Sequence, residues 1–101
     1  MIVEWNDLAL EQFRSVLDYW KIRNQSNAYP NKLLNIVDSA LDMVKSNPEI
    51  GIQSDKGTSR SILIESYRIF YSADTEIIHI LLFWDIRQNP DTLLELLNFK
   101  R

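Results

Sequence analysis

Cysteine is absent from the 101-residue chain, and histidine occurs once, at His79. Disulfide frameworks, zinc fingers, iron–sulfur sites and cysteine nucleophiles are thereby excluded, as are His-rich zinc or copper sites. The two glycines, Gly51 and Gly57, are too few for a Gly-rich loop around a nucleotide phosphate. Long apolar runs are missing too. The longest, Ile77 to Trp84, is interrupted by His79 and falls far short of the roughly 20 residues that span a bilayer. Neither sign of charge dominates: 11 basic against 14 acidic side chains give a net charge of −3. The acids and bases are divided evenly between the two halves of the chain. A surface that coats nucleic acid by charge alone does not fit this balance. The first residues carry no basic segment followed by an apolar one, so no secretory signal is read there. The expectation is a cytoplasmic protein without membrane contact, metal or cofactor.

What is present is the composition of an ordinary globular protein, 46% apolar and 25% charged. A chain of this length buries roughly 60–70% of its unfolded surface, enough for one core without staples. No repeat, low-complexity tract or linker divides it, so residues 1–101 read as one domain. Residues 1–5 suit a short strand, and Asn6 or Asp7 can cap a helix over residues 8–22. In that helix Leu10, Phe13, Leu17 and Trp20 recur at helical spacing. Residues 23–27 are turn-like. A second helix starts near Ser26 or Asn27 with Pro30 in its first turn and buries Leu33, Val37, Ala40 and Val44, until Asn47-Pro48 stops it.

Beyond Pro48 the apolar period shortens from about 3.6 to 2. A short strand is expected within residues 49–53, then strands over 58–64, 67–72 and 77–86, with Glu65-Ser66 as a hairpin turn. The last strand is almost continuously apolar and should be covered on both faces. Asn89-Pro90 should open a short C-terminal helix. Helices and strands are segregated, which predicts an α+β fold: a helical hairpin on one face of an antiparallel sheet, with the other face open to a partner or substrate.

Chemistry has few places to reside. His79 sits mid-strand and reads as a half-buried imidazole bonded to a neighbour. Most acids lie on helix faces or in turns, where a solvated role is the ordinary one. The sheet half offers Arg60, Arg68 and Arg87 on successive strand segments, and arginines can hold phosphate or carboxylate bidentately. They are the candidate target-binding residues. Arg60 and Arg87 are the catalytic candidates if the protein is a ribonuclease acting by in-line attack of a 2′-OH. A two-residue turn at Glu65-Ser66 would set Ile64 opposite Tyr67 and Arg60 opposite Tyr71. Arg60 and Arg68 would then lie on opposite faces, whereas a bulge or longer loop would bring them together.

Two helices, then Thr58-Ser-Arg60-Ser-Ile-Leu-Ile64, then Tyr67-Arg-Ile-Phe-Tyr71, then Phe83-Trp-Asp-Ile-Arg87-Gln-Asn-Pro90 together resemble the RelE/ParE superfamily of toxins from type II toxin–antitoxin modules. The resemblance covers nearly the whole chain. It implies a growth-arresting toxin, plasmid- or chromosome-encoded, neutralised by a cognate antitoxin and touching DNA only through it. It leaves two targets. RelE-like members cleave mRNA on the ribosome; ParE-like members poison DNA gyrase. In the nuclease branch, basic residues on the sheet work with a tyrosine or histidine near the end of the last strand, and Arg60 could correspond to one of them. Here that strand ends in Asp85-Ile-Arg87-Gln88, with neither Tyr nor His, and Phe99 has no hydroxyl. An acidic pI of about 5.0 also suits ribosomal RNA poorly. The long helical hairpin and the residues after the last strand lean towards the ParE-like side. The further alternative is an inactive relative that serves as a binding module with its antitoxin.

Overall fold

The computed structural model describes residues 1–54, 57–88, 91–93 and 96. Strand β1 (Ile2–Trp5) leads into helix α1 (Asp7–Asn24). Asn6 caps that helix, its side chain accepting from the Ala9 N–H at 2.7 Å. Gln25 closes α1 in the left-handed region at φ 50°, and helix α2 (Ala28–Ser46) returns beside it. Pro30 lies buried in its first turn, where a missing N–H costs nothing. Strands β2 (Ile52–Gln53), β3 (Arg60–Ile64), β4 (Tyr67–Ala73) and β5 (Ile77–Asp85) follow. Residues 91–93 and 96 are helical; Asn89, Pro90 and Phe99, expected to cap, open and follow that helix, lie outside the described residues.

The sheet order is β1-β5-β4-β3-β2. Four strands run antiparallel in succession, and β1 joins β5 in parallel. That parallel edge modifies the expectation of an antiparallel sheet: α1 and α2 give the chain the crossover that a parallel neighbour requires. The strand expected within 49–53 shrinks to two residues, because Tyr71 and Arg60 hold the chain from Pro48 to Gly51 in a non-ladder conformation.

The hairpin register is that of the two-residue turn, with Ile64 opposite Tyr67 and Arg60 opposite Tyr71. Glu65 takes φ 50° to make the turn. The helices cover one face. Leu33, Val37, Leu41 and Val44 of α2 and Ala9 and Phe13 of α1 pack with Ile69, Tyr71, Ile78, Ile80 and Phe83 in the main core. The opposite face is less open than the sequence suggests. Phe70, Leu82 and Trp84 form a second cluster, packed against Leu93 and Leu96 of the C-terminal segment.

The unbroken apolar character of β5 has a physical cause. Tyr71 pairs with Ile80 and Phe70 with Leu82, so Leu81 is the extra residue of a bulge. Ile78, Ile80 and Phe83 therefore enter the main core, while Leu82 and Trp84 enter the second, with Leu81 packed against it.

Candidate functional site

The pairing of β1 with β5 stops at Trp5 and Ile80, while β5 runs on to Asp85. Along this stretch α1 replaces the missing strand. The Asn6 amide donates to the Leu81 carbonyl at 3.1 Å, and the Phe83 N–H donates to Gln12 Oε1 at 2.9 Å. Further on, the Trp20 indole N–H donates to the Tyr67 hydroxyl at 2.9 Å, next to the end of β5, since Tyr67 pairs with Asp85. A helix held off the sheet by three long side chains leaves a gap. It is a cleft of about 780 Å³ between α1 and the end of β5.

The cleft has an apolar wall and a polar end. Leu8, Val16, Tyr19 and Trp20 line it from α1, and Phe83 and Trp84 from β5. Aromatic packing continues beneath: Tyr67 stacks on Phe83 at 5.0 Å between ring centroids, and Trp20 meets Tyr29 edge-on at 5.1 Å. At the polar end Arg87 grips Asp85 bidentately, Nε to Oδ1 at 2.9 Å and Nη2 to Oδ2 at 2.7 Å. The Arg87 hydrogen bonds hold the Asp85 carboxyl below the usual carboxylate range despite partial burial, and Asp85 in turn raises the Arg87 guanidinium. Burial, reinforced by Tyr67 and Glu65, pushes the Tyr29 phenol up, so it stays protonated. Arg23 lines the same end and approaches the Tyr19 hydroxyl at 3.4 Å.

The three sequence-selected arginines do not meet. Arg60 points to the helix side, opposite Tyr71, and its Nη1 donates to the carbonyls of Glu49 at 3.1 Å and Gly51 at 2.9 Å. Arg68 lies on the other face, where its Nη1 donates to Ser61 Oγ at 3.0 Å. Arg87 alone borders the cleft. His79 lies between two carboxylates, Glu4 at 3.9 Å and Asp74 at 3.4 Å, which is the bonded imidazole expected of it. Among the described residues no group of His, Cys, Asp or Glu side chains could hold a metal ion, and no helix is long and apolar enough to cross a membrane.

Sequence reasoning missed Gln12, Trp20 and Tyr67 as site residues. Gln12 leaves no local signal, because its bond reaches 71 residues along the chain. Trp20 and Tyr67 do carry one: an indole N–H and a phenol O–H on apolar stripes need polar partners when buried.

A sequence profile of the family described as ParE toxin of type II toxin–antitoxin system, parDE, matches residues 3–90. Among solved structures, the chain is similar to one from the chromosomal ParDE TA system from P. aeruginosa, with a TM-score of 0.66 and 14% identity over 82% of this chain and 92% of that one. At that identity the likeness is one of fold. Comparison with curated protein sequences gives no match.

Proposed function

The chain belongs to the ParE toxin family of type II toxin–antitoxin systems, and on that premise we propose that it arrests growth in the cytoplasm by inhibiting DNA gyrase, and that its antitoxin silences it by filling the cleft between α1 and β5. The dispersal of the arginines is the observation that supports this target. Cleavage of RNA needs cations converging on one phosphate, with a proton donor and acceptor beside it. Arg60 and Arg68 occupy opposite faces, and each is bonded to its own neighbours. Arg60 and Arg68 brace the sheet, and Arg87 is the rim cation at a protein-binding surface.

The antitoxin's place is supported by the unequal burial of the helices. The 18-residue α1 buries only Ala9 and Phe13, whereas the 19-residue α2 buries six residues. On α1, Tyr19 remains 54% and Ile22 77% exposed. An apolar surface of this kind beside a cleft is what an amphipathic partner segment covers.

The test is expression of the toxin in cells with parallel assays of DNA supercoiling and mRNA integrity. Loss of supercoiling with intact mRNA is expected. Cleavage of mRNA on the ribosome would replace gyrase with the RelE-like activity. Normal growth, with the antitoxin still bound, would identify an inactive binding module.

A further inference from the structure

Tyr67 is 2% exposed, yet its hydroxyl reaches the polar end of the cleft. Its oxygen accepts from the Trp20 indole at 2.9 Å, and Arg87 lines the same cleft. A phenol can accept twice and donate once. Trp20 and Arg87 are both donors only, so neither can take the Tyr67 proton. Among the described residues the Tyr67 hydroxyl donates no hydrogen bond within reach. Its proton is therefore presented to the cleft from a ring fixed by stacking on Phe83.

The charge around it is uneven. α1 advances along β5, so that Gln12 meets Phe83 and Trp20 meets Tyr67 opposite Asp85. Arg23 and Arg87 consequently line the Tyr67 end, where Asp85 is the one acid lining the cleft, with Glu65 outside that lining and Glu11 nearer the start of the helix. Two guanidiniums against one carboxylate leave that end favourable for a second carboxylate.

We propose that the Tyr67 hydroxyl and the Arg87 guanidinium form an acceptor site for one acidic side chain of the antitoxin segment that fills the cleft. The flanking apolar side chains of that segment lie against Val16, Tyr19 and Trp84. This rests on the reading of the cleft as the antitoxin site and adds its chemical selectivity. The bond formed is a phenol O–H donating to a carboxylate, supported by a guanidinium whose geometry Asp85 already fixes. Preorganised donors of this sort cost little to order on binding.

The experiment measures binding of the full-length antitoxin of the same module to toxin variants. Tyr67→Phe keeps the ring and removes the proton. A charge-assisted hydrogen bond corresponds to a weakening of about ten- to a hundredfold, and that loss is expected with thermal unfolding followed as a control. In parallel, each Asp and Glu of the antitoxin is changed to its amide. One such change should weaken binding to the parent toxin by a comparable factor and have little further effect on Tyr67→Phe. Tyr19→Ala separates the two layers of the argument. If it weakens binding while Tyr67→Phe stays within about twofold, the acceptor site is overturned and the cleft reading stands. If neither variant matters, the cleft itself is not the antitoxin site. Should Tyr67→Phe fail to fold, the antitoxin scan decides alone: a set in which no acidic residue costs about tenfold overturns the proposal.

Discussion

Removing one oxygen atom, in Tyr71→Phe, should cost this protein a large part of its stability. Tyr71 is fully buried beneath α2, and its hydroxyl is bonded twice. It accepts from the Gly51 N–H at 2.9 Å and donates to the Pro48 carbonyl at 2.8 Å. These two bonds fasten the segment between α2 and β2. Each is worth about 1 kcal/mol net, and a buried Gly51 N–H left without a partner adds a desolvation penalty of about 1–3 kcal/mol. The expected loss is roughly 3–5 kcal/mol. At about 0.2 kcal/mol/K of unfolding entropy for a chain this size, the melting temperature should fall by roughly 15–25 °C.

Gly51 supplies an internal check. A Cβ at that position would lie 2.6 Å from the Tyr71 hydroxyl and 2.9 Å from the Ser61 carbonyl oxygen. Gly51→Ala should therefore be destabilising in the parent, and less so once Tyr71→Phe has removed the nearer of those oxygens. Urea denaturation of the parent, both single variants and the double variant closes the cycle. A Tyr71→Phe loss below about 0.5 kcal/mol would refute the reasoning, and so would strict additivity with Gly51→Ala to within about 0.5 kcal/mol.

Arg60→Ala removes two bonds to the carbonyls of the same segment and should cost about 1–2 kcal/mol in denaturant titration; a neutral variant would return Arg60 to the pool of free cations. Asp74 accepts from the N–H groups of Glu76 and Ile77 and meets His79, which lowers its pKa below the ordinary 3.8. A depressed carboxylate stabilises the fold above the unfolded-state value and loses that contribution as pH falls towards the folded-state value. Stability should therefore drop below about pH 4, and Asp74→Asn should flatten that acid limb in urea midpoints measured from pH 2.5 to 6. Glu65 holds φ 50° at the hairpin turn, a region that costs an ordinary side chain about 1 kcal/mol; Glu65→Asn should raise the melting temperature by a few degrees.

Much of this fold is legible in the sequence because it rests on short-range rules. The stripe Leu33, Val37, Ala40 and Val44 is buried as its spacing requires, and Asn6 caps α1 through its own side chain. Of the two hairpin registers the sequence leaves open, the two-residue turn at Glu65-Ser66 is the one formed, with Arg60 opposite Tyr71 and on the other face from Arg68. The remainder depends on residues distant in sequence. Nothing near Ile2 states that it will pair with Ile77 in parallel. The cleft exists because Asn6, Gln12 and Trp20 reach partners 75, 71 and 47 residues away. The polarity of its end depends on Arg87 and Arg23 arriving from opposite ends of the chain. The covering of both faces of β5 is legible in its unbroken apolar run, but which residue goes to which face is not, because the bulge at Leu81 breaks the alternation that marks a face.

That bulge makes β5 a strand of two parities. Up to Ile80, the even-numbered residues point towards the helices, in phase with the neighbour that pairs through Trp5. From Leu82 onward the odd-numbered ones do, in phase with the hairpin closed by Glu65-Ser66. Leu81 is the comma between two clauses, and each clause can be edited separately. Sequence drift in the edge strand need not disturb which side chains reach the cleft, because the frame is reset before Phe83. Deleting Leu81 would merge the two frames. In the single alternation that results, Phe83 and Asp85 keep the helix side and Leu82 and Trp84 the reverse side, so the wall that meets the partner survives and only the extra local bend and twist of the bulge is lost.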